Sequence, residues 1–464
     1  MVTQKKHTIS TAAVTSRHDA SVPLPTFGIE WLQDVPGHWE VQRLKFIARN
    51  MSEQSTVKAR DEIYLALEHV QSWTGVARPL KGTVEFASTV KRFFADDILF
   101  GKLRPYLAKV TRANCVGVCV SEFLVLRPRK ELILPAYLEH LLRCKRVIDL
   151  INSATAGAKM PRVDWAFIGN VRLPLPPLPE QKQIAAYLRA QDAHIARFIK
   201  AKRELIKLLT EQKLRIIDHA VTHGLDASVA LKPSGIEWLG DVPVHWEVPQ
   251  LRRVSRCLDG ARIPLNATER GLRQGTYPYW GANKVIDHLD GWLFDEPLVL
   301  LGEDGAPFFD KTKEVAFAVS GKIWVNNHAH VLRPSSRITP RYLAHALNCV
   351  DYTGFVDGST RDKLTQQSMK SIRIPLPQVS EQIEICKHIE SACASLNVAI
   401  EKTEREITLI REYRDRLITD VVTGQVDVRG WQPGQEDVVE DAVLAALGDD
   451  QEEMTEQEDD DDED

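Results

Sequence analysis

The stretch GIEWLQDVPGHWEV (Gly28–Val41) returns 207 positions later as GIEWLGDVPVHWEV (Gly235–Val248). Over Gly28–Gln42 and Gly235–Pro249 twelve of fifteen positions are identical, the exceptions being Gln33/Gly240, Gly37/Val244 and Gln42/Pro249. Self-similarity at a fixed spacing marks a repeated structural unit. LRPRKELILPAYLEHLL from Leu126 pairs with LRPSSRITPRYLAHAL from Leu332, setting Arg127 opposite Arg333 and, after a one-residue slip, Tyr137 opposite Tyr342. LPLPPLPEQKQI from Leu173 pairs with IPLPQVSEQIEI from Ile374, setting Glu180 and Gln181 opposite Glu381 and Gln382. The landmarks keep one order, so the chain is a tandem duplication of a unit of about 200 residues.

Each unit closes on a long helix. Proline disfavours helix in the residue before it, so the PLP segments hold the chain extended. From Glu180 to Thr222, and from Glu381 to Thr423, there is no proline or glycine; Gly224 and Gly424 then stand where a C-cap is needed. Spacings of four and three run through Leu188, Ile195, Ile199, Leu209 and Ile216, and 201 residues on through Ile389, Leu396, Ile400, Ile410 and Leu417. A 3.5-residue apolar period is the seam of a coiled coil. Two copies of one unit meeting through equivalent helices predict a pseudo-twofold, antiparallel pair. Between the landmarks, residues 51–120 and 258–325 share no alignment visible by eye, though both read as short strands broken by Gly, Asp and Pro, with a helix following at Tyr137 and Tyr342. The expected fold class is α+β: two mixed α/β domains joined by two long helices in an antiparallel coiled coil. The expected boundaries are a flexible leader at 1–21, domains at 22–172 and 229–373, spacer helices at 173–228 and 374–426, and an acidic disordered tail at 427–464.

A length of 464 residues exceeds one core. The formal charge of -5 hides an asymmetry, because sixteen of the 64 acidic residues lie in 435–464, leaving 59 basic against 48 acidic residues before them. A basic body is compatible with a polyanion partner. No apolar run reaches the roughly 18 residues of a membrane span and no signal peptide is visible, so a cytoplasmic location is expected. The seven cysteines contain no C-x-x-C pair, which argues against a disulfide framework or structural zinc.

The order of variable domain, PLP-x-x-EQ helix, variable domain and second helix resembles the specificity subunit of type I restriction-modification enzymes, over about residues 22–425. GIEWLGDVPVHWEV, FGKLRPYLAKV (Phe100–Val110), GSTRDKLTQQSMKSIRIPLP (Gly358–Pro377) and the two EQ helices carry the likeness. The resemblance implies that each variable domain is a target recognition domain reading half of a bipartite site on double-stranded DNA, and that the helices set the gap between the halves. It implies a non-catalytic subunit docking two methyltransferase subunits and two restriction/translocase subunits. S-adenosylmethionine, ATP and Mg would then be used in those partners, with no cofactor or metal in this chain. Other readings are an orphan subunit serving methylation alone, or a coiled-coil adaptor joining two proteins.

Chemistry within the chain finds no support in its motifs. There is no Asn/Asp-Pro-Pro-aromatic loop for a flipped base, no glycine-rich cofactor turn and no G-x-x-x-x-G-K-[ST] phosphate loop. Asp96-Asp97 resembles the acidic part of a nuclease site, but the duplicated half offers LLGEDGAPFF instead.

Base contacts need Arg, Lys, Asn or Gln at a groove, and phosphate contacts need cations or backbone N–H groups. In the first unit GKLRPYLAKVTR supplies Lys102, Arg104, Tyr106, Lys109 and Arg112, and GAKMPRVDW adds Lys159 and Arg162. In the second, GSTRDKLTQQS supplies Thr360, Arg361, Lys363 and Gln366, and YWGANK adds Asn283 and Lys284. The EQ turns, Glu180, Gln181, Glu381 and Gln382, are expected to dock the methyltransferase subunits.

Overall fold

The structure, a computed structural model, describes residue 32, residues 35–82, 89–157, 160–357 and 362–434, and residue 437. Lys159, Thr360, Arg361, the leader and most of the acidic tail therefore lie outside the described residues. Two compact units divide the chain: one runs to Lys202 and resumes at Arg405, the other is Arg203–Glu404. The divisions cut through the two long helices, Leu178–His223 and Val379–Val422.

Besides an antiparallel pair of Glu40–Arg43 with Arg172–Leu175, the first unit has β1 (Ala48–Met51), β2 (Gln54–Ser55), β3 (Ile63–Leu65), β4 (Val90–Phe93), β5 (Ile98–Gly101), β6 (Val110–Arg112), β7 (Gly117–Cys119) and β8 (Phe123–Pro128). They form two four-stranded sheets, ordered β1-β8-β5-β6 and β2-β4-β7-β3. In the second unit β9 (Ser255–Cys257), β10 (Gln274–Trp280), β11 (Val285–Leu289), β12 (Phe294–Asp295), β13 (Leu298–Gly302), β14 (Ala316–Val319), β15 (Lys322–Val325) and β16 (Ala329–Pro334) give β9-β16-β13-β14 and β11-β10-β15-β12. The first sheet of each unit has the same order and entirely antiparallel pairing. The second sheets share a parallel pair, β3 with β7 and β10 with β15, and differ in which edge takes the fourth strand. The described parts of residues 51–120 and 258–325, unalignable as letters, thus share one topology except for that edge strand. β5 and β13 are buried on both faces, which is why ILFG and LVLLG read as unbroken apolar runs rather than alternating ones.

The expected helices after the first sheet are present at Pro135–Arg143 and Pro340–Asn348, each with proline in its first turn. Tyr137 and Tyr342 are fully buried there, and their hydroxyls donate to the backbone carbonyls of Val422 and Val221, in the last turn of a long helix. The core of the first unit joins Ile184 and Leu188 from the start of the first long helix to Leu417, Ile418 and Val421 from the end of the second. The core of the second unit joins Ala220 and Val221 from the end of the first to Ile385 and Ile389 from the start of the second. Within each unit the helices run antiparallel, and Lys202 pairs with Glu406 at 2.6 Å. Of the seam positions, Leu188, Ile195, Ile199, Ile389 and Leu417 are buried, and Leu209, Ile216, Leu396, Ile400 and Ile410 are half-buried.

The quoted repeat is a clasp on the start of each long helix. In the first unit His38 Nε2 and Trp39 Nε1 donate to the two carboxylate oxygens of Glu180, at 2.8 and 2.9 Å. In the second His245 and Trp246 hold Glu381 in the same way, at 3.0 Å each. The C-terminal glycines of the opposite helices pack on the indoles: a Cβ on Gly224 would come 3.2 Å from Trp246, and one on Gly424 3.2 Å from Trp39. Both are left-handed, with φ of +77° and +76°, as a helix C-cap requires. Gln181 and Gln382, expected on a docking surface, are instead fully buried. The Gln181 amide donates to the carbonyls of Leu132 and Pro176 and accepts from Leu134 N–H; Gln382 does the same with Arg337, Pro377 and Thr339. Their bonding is internal because the extended segments before each helix leave backbone groups that only a side chain can satisfy. Glu180 and Glu381 likewise spend both oxygens on the clasp.

Candidate DNA interface

In both units three segments converge at the far end of a central hairpin. In the first unit the chain leaves β5 through Gly101, where a Cβ would stand 3.0 Å from Leu67 and 3.2 Å from the Lys109 carbonyl, a tight approach that a side chain would push apart. The loop Lys102–Lys109 then pairs with the segment after Met160: Arg104 N–H donates to Pro161, and Val163 N–H to Lys102. In the second unit a Cβ on Gly302 would meet Ala306 at 2.3 Å and the Ala282 carbonyl at 3.2 Å. There Gly305 N–H donates to Asp362, and Leu364 N–H to Glu303. The correspondence is residue for residue: Lys102 with Glu303, Arg104 with Gly305, Arg162 with Lys363. It also pairs the turn at Ala66–His69 with Gly281–Lys284, which sequence reading missed in the first unit; the common spacing of Tyr64 to Val70 and Tyr279 to Val285 was the available signal.

Arg104 sits left-handed at φ +48° where the second unit uses glycine, Gly305, at +71°, and Ala108 is left-handed too, at +48°. A side chain in that region costs roughly 1–2 kcal/mol, and such strain concentrates where function fixes the chain. Tyr106, exposed between them, lies on a one-turn 3-10 segment, Pro105–Leu107. Replacing Arg104 with glycine should leave stability unchanged or higher while weakening binding to a cognate duplex by about 1–3 kcal/mol, read by denaturant unfolding and by titration of labelled DNA. A parallel loss of stability and binding would assign Arg104 to the frame instead.

Of the expected DNA residues, the structure gathers Lys102, Arg104, Tyr106 and Arg162 in the first unit; Arg162 is held by Glu122 at 3.2 Å. Asn283, Lys284 and Lys363 gather in the second. Three placements are corrected. Lys109 turns inward and donates to the Leu67 carbonyl at 3.0 Å, bracing the neighbouring turn. Arg112 lies at the opposite end of the hairpin, paired with Ile98 and facing Asp96 and Glu139, because three strand residues carry it away from the loop. Gln366 donates to Asp259 at 2.8 Å, so its amide anchors the segment rather than standing free for a base. Phe309, exposed beside the second loop, was not foreseen.

Asp259 is the centre of a buried network. It accepts from His330 at 2.7 Å and from Val331 N–H at 2.9 Å, and Arg262 bridges to Glu303 at 2.7 Å. Burial raises the Asp259 carboxyl, but the His330 hydrogen bond and charge, the Val331 N–H and Arg262 outweigh it and hold it well below the usual carboxylate range. His330 Nε2 donates to the Leu364 carbonyl at 2.8 Å, so the network fastens the segment Asp362–Gln366 to the sheet. Asp97, half of the suspected nuclease pair, is likewise structural: it is buried and receives a two-pronged bond from Arg127 at 2.8 Å, as Glu296 does from Arg333.

A family model described as type I restriction modification DNA specificity domain matches residues 80–208 and 243–409, and the chain belongs to that family. The putative type I restriction enzyme specificity subunit S.HindORF215P of Haemophilus influenzae is 34% identical over 151 residues, 32% of this chain and 38% of that protein. The EcoDI specificity subunit of Escherichia coli is 29% identical over 164 residues, 35% of this chain and 36% of its own. These two matches thus span well under half of the relatives' lengths. The MjaVIII specificity subunit of Methanocaldococcus jannaschii is 24% identical over 435 residues, covering 85% of this chain and 94% of that one. A solved chain from a study of complex assembly and conformational transition in the type I R-M system superposes with a TM-score of 0.60 at 16% identity, over 84% of this chain and 99% of that one, which establishes a shared fold. No helix among the described residues is long and apolar enough to cross a membrane.

Proposed function

We propose that this chain is the sequence-reading subunit of a type I restriction-modification complex, each unit reading one half of a bipartite site on double-stranded DNA. One observation carries the reading: the duplicated frame presents the same three converging segments twice, with different side chains on them. A frame kept constant under changing contents suits two different half-sites. The chain acts without catalysis of its own, docking two methyltransferase and two restriction/translocase subunits, with S-adenosylmethionine, ATP and Mg used in those partners. Mapping methylated adenine in cells expressing the chain with its methyltransferase should yield a two-part motif. The double variant Lys102→Ala, Arg162→Ala should then degrade one part and spare the other. Binding that ignores sequence and varies little with salt would favour the adaptor reading.

The helices give a second test. Each residue adds about 1.5 Å to a helix, so inserting seven residues into both, in register with the seam, should lengthen the tolerated gap between half-sites without changing either half. An unchanged gap in the methylation map would sink the spacer role.

A further inference from the structure

A cavity of about 390 Å³ lies in the first unit, at the opposite end of the β5–β6 hairpin from the DNA-facing loop. Val76, Ile195 and Ile199 form an apolar wall, and Arg112, Glu139, His140, Arg143, Arg189 and Asp192 a polar one. The Arg143 side chain is 3% exposed. It donates through Nη1 to the Thr74 carbonyl and through Nη2 to His140 Nδ1, 3.2 Å away, while its Nε has no hydrogen-bond partner among the described residues. Gly75 closes over the pair: a Cβ there would stand 2.8 Å from Glu139 and 3.0 Å from Arg143.

The duplication supplies an internal control. Aligned on Tyr137/Tyr342 and on the EQ helices, Glu139 corresponds to Ala344, Arg143 to Asn348 and Asp192 to Cys393. Asn348 bonds only to the frame, accepting from Val315 and Ala316 N–H and donating to the Ala316 carbonyl. The same fold is therefore built in the second unit without these three charges. Burying charge costs stability unless it is compensated, so a cluster the frame does not need calls for another purpose. Burial pushes the Glu139 and Asp192 carboxyls up and His140 well down, each toward its neutral form, whereas guanidinium stays charged. Arg112, Arg143, Arg189 and Arg414 line the cavity against two carboxylates, Glu139 and Asp192, so its lining carries a formal excess of positive charge.

We propose that this cavity binds a small organic anion whose phosphate or carboxylate oxygens meet Arg143 and whose apolar body lies against Val76, Ile195 and Ile199. Binding would stabilise the first unit by mass action. The test is calorimetric titration of the full chain with AMP, benzoate and inorganic phosphate, alongside thermal melting. AMP binding identifies the phosphate source and benzoate the carboxylate; inorganic phosphate, lacking an apolar body, should bind about tenfold more weakly. Arg143→Asn, which installs the residue of the second unit, should weaken binding about tenfold or more. Ala196→Leu, which fills the cavity and leaves the charges in place, should abolish it and keeps the test valid if the first variant unfolds. The proposal is overturned if neither organic anion saturates the parent chain in the low-millimolar range, or if the folded variants retain parental affinity.

Discussion

Replacing Trp246 with alanine should destabilise the protein by about 3–5 kcal/mol, the cost of removing a large core aromatic. Trp246 is fully buried in the second unit's core, its Nε1 donates to Glu381, and the C-terminal glycine of the first long helix rests on its ring. The truncation would open a cavity, deprive Glu381 of a donor and uncover a helix end in one step. Trp39→Ala should act alike on the first unit. Glu381→Gln, which keeps an acceptor for the indole, should cost far less than Trp246→Ala. The measurement is urea unfolding; a loss below about 1 kcal/mol for Trp246→Ala would show that the clasp is ornamental to the core around it.

The second large effect is expected at Asp259. Removing one member of a buried charged network leaves the others uncompensated and costs about 3–5 kcal/mol, so Asp259→Ala should strip Arg262, His330 and Gln366 of their common acceptor. The carboxyl is held below its ordinary value. Its stabilising contribution is therefore fully present above the unfolded carboxylate pKa of about 3.9 and is lost as pH falls through the lower folded value. The stability gap between parent and Asp259→Asn should be widest near neutrality and close in acid; a gap that grows in acid would contradict the assignment. Since the network fastens Leu364 and Gln366, methylation mapping should show the second half-site degraded before the first.

The sequence carried the architecture because repetition and period are long-range signals. Identity at His38-Trp39 and His245-Trp246, the PLP-EQ turns and the seam from Leu188 were readable without any contact known. The candidate DNA interface was only partly legible. Lys102, Arg104 and Arg162 stood out as basic residues, but charge alone does not tell which way a lysine points, and Lys109 and Arg112 were misplaced for that reason. Gln366 looked like a base reader because Asp259, its acceptor, is more than a hundred residues distant in sequence. The equivalence of Arg104 with Gly305 lay in backbone conformation, which one letter does not encode. Gln181 and Gln382 were expected at a docking surface, whereas three backbone groups beside the PLP segments claim each of them.

The way each core borrows the end of a distant helix bears on how such a chain could have arisen. A chain stopping near Gly224 would contain one recognition body whose Tyr137 and Trp39 lack the helix end that covers them, while its own helix end would have nothing to cover. If the two frames are interchangeable, two such half-length chains would cover each other's cores. A primordial single-unit protein of this design would have been an obligate homodimer reading a symmetric site, and fusing two copies into one polypeptide would have freed the halves to diverge. On the proposed reading, covalent linkage lets the two halves read different sequences, and splitting the present chain between the units should give fragments that must find each other to fold.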